Sequence, residues 1–205
     1  EDPHTHSKVV ASNNLSTWHT DPIKCASDSS INLQWNITKI NAKKTSYFTI
    51  KYSLSNHGKN SILLLDRIVT RVFQMDSFEF AEDRFIVRAG DNENSVDFIR
   101  GYVFSDAKTH WRVPAVPGSR LLRPGEKITG QGIINLPISP WHPDWWQAPS
   151  FIIPPKTAVL KIGYLEAYNG PWIDVSMKDG TKQRVPMGGH DSQQFVCTKP
   201  LNANF

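Results

Sequence analysis

Ile31-Asn32-Leu33-Gln34-Trp35-Asn36-Ile37 alternates apolar and polar side chains without a break. A period of two sends every second side chain to the same face of an extended chain, so this stretch reads as a half-buried strand. Phe48, Ile50, Tyr52 and Leu54 repeat the pattern, with Thr49, Lys51 and Ser53 on the other face. Asn56-His57-Gly58-Lys59-Asn60 follows as a turn, and Ser61 to Met75 is an apolar, β-branched run able to bend between two sheets.

The same signals continue toward the C-terminus. Strands are expected at Arg84 to Arg88, Val96 to Phe104, Lys127 to Leu136, Ala158 to Tyr168, Trp172 to Met177 and Gln193 to Cys197. Leu122-Arg123-Pro124-Gly125-Glu126 reads as a turn that launches a strand, and Asp179-Gly180 as a hairpin turn tolerant of positive φ. No segment sustains a helical period with caps at both ends, and Asp76 to Asp83 is the best candidate for one short helical turn. Many short strands separated by turns predict an all-β fold, an antiparallel β-sandwich with long proline-rich loops. Tyr52-Ser53-Leu54-Ser55-Asn56 followed by Leu122-Arg123-Pro124-Gly125 resembles immunoglobulin-like bacterial modules in style, without pointing to one family. Residues 1–30 read as an irregular N-terminal segment and 31–205 as a single sandwich domain.

Composition narrows the function classes. Hydrophobic residues are 39% of the 205, enough for a core and too many for a disordered chain. No run reaches the roughly 18 apolar residues of a transmembrane helix. The net charge is +4 and the pI about 9.1. The basic residues are dispersed and form no nucleic-acid-binding pattern, so no nucleic-acid partner is expected. Cys25 and Cys197 are too few for a zinc ribbon, and an even pair suits a disulfide in an exported chain, closing a loop of nearly the whole sequence. The chain begins at Glu1 rather than Met, which fits a processed or trimmed N-terminus. A secreted or periplasmic location is the expectation.

Two proline-rich stretches, Ser105 to Gly125 and Pro137 to Pro155, read as long loops, and such loops are commonly functional. The second holds Trp141-His142-Pro143-Asp144-Trp145-Trp146, three of the seven tryptophans. Trp rings stack on sugars or anchor protein partners, or else fold back to cap one end of a sandwich. Trp141, Trp145 and Trp146 are the expected contact residues, with His142 and Asp144 giving polar selectivity.

A different chemistry is open to His4, His6, Met187 and His190. His4 and His6 share one face of an extended chain, and imidazole with thioether suits copper or, without the thioether, zinc. Nucleophilic catalysis has no support, because no Gly-x-Ser-x-Gly elbow occurs. Gly130-Gln131-Gly132 lies among strand-like residues with no following helix, so it is no phosphate loop. Asn14-Leu15-Ser16 and Asn36-Ile37-Thr38 match the N-glycosylation sequon. The leading expectation is a non-enzymatic exported module that binds a protein or a glycan, with no cofactor; the alternative is a periplasmic metal-binding protein.

Overall fold

A computed structural model describes residues 23–27, 30–72, 78–81, 83–92, 94–103, 117–143, 151, 153–176 and 182–203. The chain is all-β, and its described helical structure is one 3-10 turn at His190–Ser192. No helix among the described residues is long and apolar enough to cross a membrane.

The alternating stretches form one three-stranded sheet. Strand β1 (Ile31–Asn41) pairs with β2 (Ser46–Asn56), which pairs on its other side with β8 (Lys127–Asn135), both antiparallel. The remaining strands build a larger curled sheet: β3 (Ile62–Val72), β4 (Phe78–Ala81), β5 (Ile86–Ala89), β6 (Ser95–Arg100), β7 (Gly118–Leu122), β9 (Thr157–Glu166), β10 (Trp172–Ser176), β11 (Lys182–Pro186), β12 (Gln194–Cys197) and β13 (Leu201–Asn202). Phe48, Ile50, Tyr52, Leu54 and Ile134 of the small sheet meet Ile62, Leu64, Phe98, Leu160 and Ile162 of the large one in a single core. The large sheet is buried on its other face as well, where Ile68, Ile86, Ile99 and Phe195 cluster. That two-sided burial explains why Ile62 to Leu65 is a continuous apolar run rather than an alternating one.

Strand β9 organises the large sheet by changing partners along its length. At Ile162 it pairs with Arg100 of β6 and Val196 of β12; at Tyr164 it pairs with Leu64 of β3 and Gln194 of β12. A strand has two edges, so β6 and β3 follow one another along one edge while β12 holds the other. The β6–β9 pair is parallel, a departure from the expected all-antiparallel pattern. Asp76 to Asp83 does not form a helical turn where it is described: Phe78–Ala81 is a strand on the end of β3. Gly118–Leu122, expected inside a long loop, is strand β7, paired with β3 and β11. Asp179-Gly180 lies outside the described residues, although β10 and β11 on either side pair in antiparallel register.

Cys25 and Cys197 are bonded, with Cα atoms 5.7 Å apart. The bond ties the 23–27 segment to β12, and Ala26 N–H donates to the Phe195 carbonyl at 2.8 Å beside it.

A buried polar chain crosses the core between the sheets. Arg100 Nη1 donates to the Tyr52 hydroxyl at 2.8 Å, and that hydroxyl donates to Asp66 Oδ2 at 3.1 Å. Arg120 closes the chain with two hydrogen bonds to Asp66. Burial, with the Asp66 charge adding to it, pushes the Tyr52 phenol up from 10.0 to about 12. A raised folded-state pKa contributes stability that is fully present below pH 10 and lost as pH rises through about 12. Ultraviolet titration is therefore expected to show the Tyr52 phenol ionising late, and stability falling between these limits. A normal phenolate titration for Tyr52 would remove the buried chain from this account.

Candidate functional site

The polar face of the small sheet carries a concavity of about 560 Å3. Cross-strand register builds it. Gln34, Ser53 and Thr129 stand side by side in one row, and Asn36, Lys51 and Gln131 in the next. The rows are two residues apart, about 6.8 Å along the strands, and neighbouring strands lie about 4.8 Å apart. The backbone of Trp35, Tyr52 and Gly130 runs beneath, with the Tyr52 side chain turned into the core.

Groups below the sheet fix that backbone. A Cβ at Gly130 would collide with the Tyr52 ring, and one at Gly132 with the Phe85 ring. The two glycines thus admit aromatic rings beneath β8. Among the described residues no strand pairs with the outer edge of β8, which is met by other groups. Arg100 Nη2 donates to the Gln131 carbonyl at 2.7 Å, Arg120 Nη2 to the Thr129 carbonyl at 3.2 Å, and Ile133 N–H to the Asp83 carbonyl at 2.7 Å. Arg100 also lies over the Phe85 ring, 4.3 Å from its centroid. The carbonyls flanking Gly130 are therefore held by the guanidinium groups of buried Arg100 and half-buried Arg120.

The concavity presents three amides, two hydroxyls and one ammonium, and no carboxylate. Such a set donates and accepts hydrogen bonds over a broad, shallow area and tolerates one negative charge near Lys51. Asn36 belongs to one of the two sequons and accepts a hydrogen bond from Thr38 Oγ1 at 3.0 Å.

The Trp-rich stretch divides. Trp141 exchanges both backbone hydrogen bonds with Val87, each 2.8 Å, and so sits on the edge of β5. Its half-buried ring packs against both apolar clusters, with the Arg84 guanidinium over it at 4.9 Å. His142 is 3% exposed. Its Nε2 lies 2.9 Å from the Val103 carbonyl, which only accepts, so Nε2 carries the proton. Of these two expected contact residues, His142 is thus buried and Trp141 half-buried against the core. Asp144, Trp145 and Trp146 lie outside the described residues, as do His4 and His6.

Met187 is exposed at the end of β11, its N–H bonded to the Pro171 carbonyl at 3.0 Å beside the exposed Trp172. His190 opens the 3-10 turn that follows. Among the described residues no three His, Cys, Asp or Glu side chains converge as a metal site would require.

The residues of the concavity were legible only as the polar half of each alternation. Gln34, Asn36, Lys51 and Ser53 are what an exposed sheet face ordinarily carries, and their convergence depends on the pairing of β2 with both β1 and β8. All-β architecture with a polar sheet concavity is the class of protein this chain defines. No protein-family model, no curated protein and no solved structure matches it.

Proposed function

We propose that the chain is a non-enzymatic binding module of the exported type, immunoglobulin-like in style, whose contact surface is the concavity on the β1–β2–β8 sheet. The observation that carries this reading is the alignment of six hydrogen-bonding side chains over three adjacent strands, above a backbone clamped by Arg100 and Arg120. A rigid floor reduces the ordering cost of binding. Amides and hydroxyls at sugar-ring spacing suit a glycan, and Lys51 suits one bearing a carboxylate. The Cys25–Cys197 bond supports an oxidising compartment.

The test is calorimetric titration with neutral and uronate-bearing oligosaccharides. Saturable binding of the uronate-bearing set is expected, weakened about tenfold or more by Lys51→Ala with Gln131→Ala, at unchanged melting temperature. Both side chains are exposed, so the double variant is expected to fold normally. Binding untouched by that variant but lost in Trp145→Ala with Trp146→Ala would move the contact to the Trp-rich stretch. No saturable binding to any sugar would overturn the glycan reading.

A further inference from the structure

Lys161 occupies a core position in β9 between Leu160 and Ile162, on the face of the large sheet turned away from the small one. Its side chain and that of Asp97 on the neighbouring parallel strand β6 are each 2% exposed, and Nζ lies 2.8 Å from Asp97 Oδ2. Cys197 of β12 stands opposite Lys161 on one side and Ile99 of β6 on the other, and Ile86 flanks Ile99. Asp91 Oδ2 approaches the same Nζ at 3.4 Å from an exposed position. Arg88, directly opposite Asp97 on β5, brings Nε to 3.5 Å from Asp97 Oδ2. An amine, a carboxyl group and a guanidinium thus converge where charges are poorly solvated, with a second carboxylate reaching the amine from the exposed rim.

We propose that Lys161 Nζ and the Asp97 side chain condense to an intramolecular amide that cross-links β6 to β9. The ion pair first passes one proton from ammonium to carboxylate, which replaces two buried charges with a neutral amine and a neutral acid. Burial favours that acid form, pushing the Asp97 carboxyl up even though Lys161 and Arg88 pull the other way. The amine lone pair then attacks Asp97 Cγ, forming the C–N bond. Arg88 faces the oxyanion that develops. Asp91 takes the proton leaving nitrogen and returns it to the departing hydroxyl, so the C–O bond breaks and one water is released. Lysine and aspartic acid become amide and water, with no oxidation and no co-reactant. Holding the reactants side by side on adjacent strands supplies the proximity that makes such a step feasible.

The experiment is intact-mass measurement on the full chain after reduction of its disulfide. The expected mass is below the sequence mass by one water, and a digest is expected to yield a branched peptide joining the Asp97 and Lys161 segments. Lys161→Arg is expected to restore the full mass. Asp97→Asn is expected to give the same cross-link with loss of ammonia, and Asp91→Asn to leave an uncross-linked fraction. A full-mass wild-type chain overturns the proposal, as does a deficit that persists in Lys161→Arg, which would mark dehydration elsewhere. Should Lys161→Arg fail to fold, the wild-type peptide map decides alone: without a branched peptide the proposal fails.

Discussion

Replacing Cys25 and Cys197 together by alanine is expected to lower the unfolding free energy by about 5 kcal/mol. The bond joins residues 172 apart. In the chain-entropy account its contribution grows with the logarithm of the closed loop, and few closures in a chain of this length are longer. Domains of this kind hold about 5–15 kcal/mol in total, so the variant is expected to sit close to its unfolding threshold. A local term acts in the same direction. The 23–27 segment meets β12 through the disulfide and the Ala26–Phe195 hydrogen bond, and β12 pairs with the centre of β9. Urea denaturation of oxidised protein and variant measures both. A lower midpoint with a larger slope is the expected result, because the uncross-linked denatured chain exposes more surface. A loss under about 1 kcal/mol would mean that the denatured chain already keeps its ends together.

How far the sequence discloses this fold can be judged strand by strand. β1 and β2 were legible because one face of each is wet, so burial writes a period of two into the residues. β7 was not. Its Ser119 is buried with its hydroxyl bonded to the Arg184 carbonyl, its Arg120 is tied to Asp66, and its Leu121 is exposed, so polarity there runs against burial. Phe78-Glu79-Phe80 does alternate, but over only three residues, and only pairing with β3 decides for a strand. The parallel β6–β9 contact rests on tertiary arrangement that no local signal carries. For candidate sites the contrast is sharper. Trp141 and His142 stand out by composition, while the backbone bridge of Trp141 to Val87 and the burial of His142 follow only from tertiary structure. Lys161 and Asp97 stand inside apolar runs. A charge between Leu160 and Ile162, or between Val96 and Phe98, in a strand buried on both faces is itself a signal, since such positions are almost never charged without a partner.

Asp66→Ala is expected to destabilise the protein by about 3–5 kcal/mol, the range for removing one member of a buried charge pair. Asp66 is 1% exposed, accepts from the Tyr52 hydroxyl and takes two hydrogen bonds from Arg120. Burial works against the Arg120 charge, but the hydrogen bond and charge of Asp66 outweigh it and hold the guanidinium above its ordinary pKa. Truncation therefore leaves a cation and a phenol facing an empty acceptor position; Arg120 also holds the floor of the concavity through the Thr129 carbonyl, and the phenol is bonded to Arg100, which holds the Gln131 carbonyl. Asp66→Asn keeps one acceptor oxygen and is expected to cost less. A double-mutant cycle with Arg120→Ala separates the pair from the rest: the double variant is expected to be less destabilised than the sum of the singles, because the second truncation removes the orphaned charge. Additive losses would show that Asp66 and Arg120 act independently, and the clamp on β8 would then rest on Arg100, which grips Gln131, Tyr52 and the Arg84 carbonyl at once.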